Sequence, residues 1–297
     1  MASAALILPD EHASRLLRPH AAALALKRRK TLLGLALLTV CIGAASVVGE
    51  VRPGKLISDF PKFFDYISRL FFLDSGKSVF SDPAEWFWGV TQKSKWLPLL
   101  WETILIAYLG TVMGFAGAFC MSFIAARNTG RSIWAAAAAK RFLELCRTVP
   151  ELVFALIFVV AFGLGPLPGV LALAIHTVGA LGKLFSEVVE NIDMKPMDGM
   201  KSTGAGWMQT MRFAALPQVF SSFVSYALLR FEINVREAGI MGFVGAGGIG
   251  DELLVSIRKF YYSDVSAILS LLVVTVMLID LVTERVRHGL LTTERTR

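Results

Sequence analysis

The chain has 297 residues, of which 55% are apolar and 18% charged, with a formal net charge of +7 and a mean hydropathy of +0.61. A soluble domain carries roughly 25% charged residues, so this chain lacks the charge to coat a water-facing surface, and it is far too apolar to be disordered. Its three cysteines are odd in number and lie in or beside apolar runs (Cys41, Cys120, Cys146), which excludes a disulfide scaffold; the basic excess belongs in cytoplasmic loops, not on a nucleic-acid face.

A bilayer core of about 30 Å takes about 20 apolar residues of helix to cross. Thr31–Val48 is uncharged and follows the cluster Lys27-Arg28-Arg29-Lys30. Leu97–Ala125 holds only Glu102, Val149–Gly165 has Glu151 near its start, and Gly169–Leu184 has His176 in the middle and Lys183 near its end. Phe213–Leu229 is uncharged up to Arg230, and Val265–Ile279 is uncharged up to Asp280. These runs predict an all-α membrane protein with about six transmembrane helices. The first is expected to be an uncleaved span, since its 18-residue core exceeds the roughly 7–15 residues of a signal peptide.

Orientation follows the Lys/Arg bias of short flanks. Arg15, Arg18 and the Lys27–Lys30 cluster precede the first run; Arg127, Arg131, Lys140, Arg141 and Arg147 follow the second; Arg285, Arg287, Arg295 and Arg297 end the chain. Both termini are therefore expected to be cytoplasmic. Gly165-Pro166-Leu167-Pro168-Gly169 is a tight external turn between the third and fourth runs. The expected division is a cytoplasmic segment 1–30, a first span 31–48, a periplasmic segment 49–96, a core 97–284 containing a cytoplasmic loop 186–217, and a cytoplasmic tail 285–297. Within the periplasmic segment, Phe60–Phe72 reads either as an interfacial amphipathic helix or as a packed cap. Gly110, Gly114, Gly117, Gly179 and Gly182 suit close helix packing.

Several motifs fail. Gly245-Ala246-Gly247-Gly248-Ile249-Gly250 fits a dinucleotide fingerprint only in letters, because no strand precedes it. Gly76-Lys77-Ser78 lacks the first glycine of a P-loop, since residue 71 is Phe71. The histidines are scattered, which argues against a metal site and against a membrane enzyme acting on phospholipids; no inverted repeat suggests a secondary transporter. His176 inside a span is either a helix–helix hydrogen bond or part of a pathway.

The informative stretch is Asp198-Gly199-Met200, three residues, Gly204, nine residues, and Ala214-Ala215-Leu216-Pro217. It resembles the EAA loop of ABC-importer permeases, with Gly204, Leu216 and Pro217 in place, Asp198 where Glu is usual, Gly199 and Met200 for two alanines, and Ala214 for Ile. Physically, glycine suits a helix C-terminus and proline a helix start. Over Val149–Gly250 the chain resembles the phosphonate ABC-importer permease subunit, through Glu151-Leu152-Val153-Phe154-Ala155, Gly163-Leu164-Gly165-Pro166, His176-Thr177, Lys183-Leu184, Leu216-Pro217-Gln218-Val219, Arg230-Phe231-Glu232, Asn234-Val235-Arg236 and Val244–Gly250.

The resemblance implies a type I ABC-importer permease bundle, a multi-pass protein of the cell inner membrane with no catalysis and no cofactor of its own. It implies a homodimer around a shared pore, a cytoplasmic ABC ATPase subunit docked on the coupling loop, and a periplasmic phosphonate-binding protein. Permeases for phosphate, phosphite or methionine are the near alternatives. Arg230, Glu232, Arg236 and Glu237 are expected at the outer end of the fifth span, where Arg230 or Arg236 attracts the anion or Glu232 and Arg236 brace the helix at i, i+4. Gly245, Gly247, Gly248 and Gly250 are expected in a gate-adjacent turn or re-entrant segment, followed by a short helix over Asp251–Tyr262.

Overall fold

A computed structural model describes residues 10–49, 52–73, 75–91, 95–129 and 132–295. The side chains of Arg15, Arg18 and Arg295, and the whole of Arg131 and Arg297, lie outside the described residues. Contacts divide the chain into two units, Met1–Tyr66 and Ile67–Arg297.

The first unit holds α1 (Asp10–Val48) and most of α2 (Pro53–Arg69). Leu26–Val48 within α1 is long and apolar enough to cross a membrane, and none of it is buried by protein. An uncovered apolar stretch of this length suits the hydrocarbon core of a bilayer.

In the second unit, the short helices α3 (Pro83–Trp86) and α4 (Trp88–Thr91) precede α5 (Trp96–Ala125), α6 (Ile133–Thr148), α7 (Glu151–Phe162), α8 (Pro166–Glu190) and α9 (Met194–Ser202). Then α10 (Trp207–Thr210) passes through a π-turn, Met211–Ala215, into α11 (Leu216–Met241). A 3-10 turn, Gly242–Val244, leads to α12 (Ile249–Arg258), and α13 (Tyr262–Arg295) closes the unit. No strand occurs among the described residues.

α8 lies between α5 and α6, and glycine sets both distances. A Cβ on Gly110 would come within 2.7 Å of Leu173, and one on Gly114 would overlap Thr177. On the other side of α8, a Cβ on Gly179 would sit 2.7 Å from both Leu143 O and Arg147 N of α6. Removing the Cβ allows backbones to approach where no hydrophobic force pulls helices together. Below this level Phe119, Phe123, Phe185 and Phe223 join α5, α8 and α11, with the Phe185 and Phe223 rings stacked at 3.9 Å. At the opposite end Trp96, Ile249, Leu253 and Ile268 join α5, α12 and α13.

Four helices are long and apolar enough to span a membrane, and up to six if each bent pair is one span. That corrects three expectations. Val149–Gly165 is not a straight crossing. α7 has 12 residues, about 18 Å, and pairs with α6 across an 84° bend, because Pro150 at the break supplies no N–H to continue α6. The fifth helix does not end at Leu229 but runs to Met241, since the charges beyond Leu229 pair along the helix itself, Arg230 with Glu237 and Arg236 with Glu232. The amphipathic helix is Pro53–Arg69, not Phe60–Phe72; Phe72 instead forms a bridge with Ser78. The 284/285 boundary falls inside the unbroken α13.

Gly179→Ala should lower thermal stability in detergent by about 1–3 kcal/mol, because backbone cannot yield as a side chain would. Gly199→Ala, where a Cβ meets nothing within 4 Å, should be neutral or stabilising by up to about 1 kcal/mol. Equal melting shifts for the two would contradict the packing.

Candidate functional site

The break between α6 and α7 falls at Val149-Pro150. It abuts the middle of α8, where His176 Nε2 lies 3.3 Å from Arg147 O, at the end of α6, and 3.7 Å from Glu151 Oε2, at the start of α7. Irregular backbone at membrane depth is tolerated only when enclosed by protein or water, and His176 supplies a polar partner. On the other side of the ring, Arg230 Nη2 of α11 donates to His176 Nδ1 at 2.7 Å and to Glu237 Oε2 at 2.9 Å. Arginine has no lone pair to offer, so Nδ1 is the acceptor and the ring proton sits on Nε2, aimed at the break.

The network continues through neutral groups. Arg230 Nε reaches Thr177 Oγ1 at 3.5 Å, and Asn234 Nδ2 donates to Thr177 Oγ1 at 3.0 Å and Thr111 Oγ1 at 2.8 Å. Thr111 in turn donates to Ala107 O. Asn234 is fully buried, and no donor reaches its Oδ1. An unmet buried acceptor costs about 1–3 kcal/mol, so this polar layer is held by its surroundings and not by its own satisfaction.

Glu151, His176 and Glu237 bring ligand-type atoms within 4.8 Å of one another, a grouping across three helices that linear spacing does not reveal. Arg230 already occupies lone pairs of both His176 and Glu237. Its fixed positive charge takes the place a cation would fill.

The four charged residues of α11 do not form one cluster. Arg230 pairs with Glu237 on the buried face. Arg236 pairs with Glu232 at 2.9 Å on the other side of the helix, with 55% of the Arg236 side chain exposed. Both pairs lie in the C-terminal half of α11, ahead of the glycine run.

The glycine run is buried and packed. Gly245, Gly247 and Gly248 have φ near +80°, open to glycine and costly for other residues. A Cβ on Gly242 would overlap Asp251 N, and one on Gly250 would overlap Gly239 O. Gly245 O accepts from Gly165 N at 3.0 Å, and Thr103 Oγ1 accepts from Ile249 N at 2.9 Å. The segment is thus a close corner between α11 and α12, bent by 49°, pinned to the start of α8 and to α5.

At the opposite end of the bundle, Asp193 caps α9 by accepting from Lys195 N at 3.0 Å. The helix stops at Gly204, whose φ is +80°; Gly204 N and Ala205 N donate back to Lys201 O and Met200 O. Met197 is buried and Met200 packs beside it against the phenylalanine cluster. Asp198 and Gly199 face outward. α11 starts at Leu216-Pro217. Gln218, one residue on, accepts from Asp193 N at 3.0 Å and donates to Asp193 O at 3.2 Å and Ala214 O at 2.8 Å. One amide side chain thereby ties the first turn of α9 to that of α11. Beside it Glu190 accepts from Lys140 Nζ at 2.6 Å and Arg127 N at 2.9 Å.

Sequence reasoning missed Thr111, Thr177 and Asn234 as a unit, because neutral polar residues inside apolar runs leave no trace in hydropathy. It also missed the clasp made by Gln218. Thr148-Val149-Pro150 was the available signal for the broken span.

A broken-helix bundle with a polar layer at mid-depth and a short amphipathic helix at one end is the architecture of a membrane permease. The chain belongs to the binding-protein-dependent transport system inner membrane component family, matched over residues 118–290, and is accordingly a multi-pass inner-membrane protein. It is 42% identical over 185 residues to the phosphite transport system permease protein PtxC of Stutzerimonas stutzeri, covering 62% of this chain and 67% of that one. It is 38% identical over 195 residues to the phosphate-import permease protein PhnE of Mycolicibacterium smegmatis, covering 66% of this chain and 37% of the relative. It is 47% identical over 117 residues to the putative cryptic phosphonate transport system permease protein PhnE2 of Escherichia coli, covering 39% and 96%. Among solved structures, the inward-facing MetNI methionine ABC transporter aligns with a TM-score of 0.56 at 19% identity, covering 66% of this chain and 95% of that one. A bacterial ABC transporter importing alginate aligns at 0.59 and 13% identity, covering 85% and 98%. These likenesses establish the type I ABC-importer permease fold.

Arg230→Gln should destabilise the protein by about 3–5 kcal/mol, because it strands Glu237 at membrane depth. Arg230→Gln combined with Glu237→Gln should recover part of that loss in thermal unfolding. Additive losses in the double variant would show that the two residues do not act as a pair.

Proposed function

We propose that this chain forms the translocation path of an ATP-driven importer for phosphonates or a related phosphorus oxyanion. The relatives described above carry phosphite, phosphate and phosphonate in their names, a substrate class united by a tetrahedral anionic phosphorus. The observation that carries the reading is Arg236. It sits in a membrane-spanning helix with its side chain 55% uncovered, and a charge there is tolerated only facing water or a partner. Ser222, Ser225 and Glu232 follow the same side of α11 at helical spacing, so this side suits a water-filled path better than lipid. A second copy of the chain across that path makes it a pore with two arginines. Their role is weak guidance, since a conduit must release what it attracts; selection rests with a periplasmic binding protein.

ATP hydrolysis is assigned to a separate cytoplasmic subunit that receives α9. The outward Asp198, Gly199 and Lys201 offer the docking surface, and the buried Met197 anchors the helix to the bundle. Gln218 passes displacement of α9 to α11.

Arg236→Gln should slow anion uptake in proteoliposomes about tenfold, equivalent to about 1.4 kcal/mol, while assembly with the ATPase persists; loss of assembly would assign Arg236 to bracing alone. Gly204 has open space around its Cβ position, so Gly204→Val acts through backbone strain of about 1–3 kcal/mol. It should abolish uptake and weaken co-purification of the ATPase, while Gly204→Asn, which tolerates the same φ, should retain much of both. Full uptake by Gly204→Val would overturn the coupling role. Binding of phosphonate, phosphite and phosphate by the binding protein of the same importer decides the cargo.

A further inference from the structure

α2 has no part in the path described above, yet it is the most clearly two-sided helix of the chain. At 100° per residue, Ile57, Phe60, Phe63, Phe64 and Ile67 fall within an arc of about 120°. Lys55, Asp59, Lys62, Asp65 and Arg69 all fall on the opposite side. The apolar arc is not packed away: Ile57 is 75% exposed and Phe60, Phe63 and Phe64 are each 57% exposed. The three phenylalanines lean on one another, with edge contacts of 5.1 Å between Phe60 and Phe64 and 5.7 Å between Phe63 and Phe64. They form one continuous apolar wedge.

Chain length says what covers it. Leu26–Val48 is long and apolar enough to cross the membrane, and only residues 49–52 separate its end from Pro53. Such a linker reaches at most about 17 Å, so α2 begins within that distance of the point where α1 leaves the hydrocarbon. Its charges are mixed in sign and confined to one side, its apolar stripe is narrow, and its large residues are aromatic. Those are the features of a helix lying in the boundary between headgroups and acyl chains.

We infer that α2 lies flat in the bilayer surface on the side of the membrane where α1 ends, with Phe60, Phe63 and Phe64 inserted among the acyl chains and Lys55, Lys62 and Asp65 in water. The partner is lipid, not a second copy of the chain or a soluble subunit.

The test uses the full chain in vesicles of phosphatidylethanolamine and phosphatidylglycerol, with Cys41, Cys120 and Cys146 replaced by alanine and single nitroxides at positions 60, 63, 64, 62 and 65. At 60, 63 and 64, collision with oxygen should exceed collision with a water-soluble nickel chelate, giving depths of about 5–10 Å; positions 62 and 65 should show the reverse. Nickel access at the phenylalanine positions equal to that at 62 would overturn the inference, as would labels there that are immobile and screened from both reagents, which would mean a protein cover. The unmodified chain gives an independent reading. A phospholipid with a diazirine in its acyl chain should label the peptide 53–69, and an unlabelled peptide beside labelled α1 would refute lipid insertion without any substitution.

Discussion

A guanidinium buried in an apolar bundle must be answered by other groups, and Arg230 is answered from two helices, its own and α8. Glu237 neutralises it from α11, while His176 and Thr177 receive it from α8. The same histidine turns its other nitrogen to the break between α6 and α7. A single desolvated charge therefore fixes the register of α11 against α8 and supplies the partner for a broken span. Remove it and a carboxylate, an imidazole and an open backbone end all lose their reason to be there. Asn234, Thr111 and Thr177 extend the polar layer to α5, so α5, α8 and α11 are tied together at one level.

Above and below that layer the packing is governed by contact distance. Where Gly114 and Gly179 face their neighbours, no methyl group fits. The lipid offers no driving force for helices to associate through apolar area alone, so shape and close approach do this work. The phenylalanine cluster at the α9 end has a different task. It packs a short, mostly polar helix onto the bundle through Met197 and Met200, leaving Asp198 and Gly199 of α9 exposed.

Much of this was legible in the residues. Long apolar runs became α1, α5, α8 and α13 because hydropathy alone decides where a helix can meet lipid. Gly204 marked a helix end for a local reason and falls where spacing put it, whereas Leu216-Pro217 does not open a new helical run, because the chain is already helical from Trp207 through the π-turn. The break at Val149-Pro150 was hidden because an apolar window registers content, not continuity, and α6 drew no assignment of its own since its basic residues lower its average hydropathy. Which acid answers which base was equally hidden. Glu232 to Arg236 is a matter of one helical turn, but the partners His176 and Thr177 of Arg230 come from α8, and only the glycine contacts that set the height of α8 against its neighbours bring them level.

The corner at Gly242–Gly250 looks in sequence like a place for bending, yet its glycines remove side chains so that two backbone stretches can lock together. If α11 and α12 tilt as one piece, they form the two arms of a bell-crank. With α12 extending about 15 Å from the corner, a tilt of α11 by about 10° would sweep the far end of α12 through about 2–3 Å, a displacement of the size by which packed helices shift. Movement begun at the Gln218 end of α11 would arrive on the other side of the membrane already turned through the 49° of the bend, as a sideways stroke instead of a push.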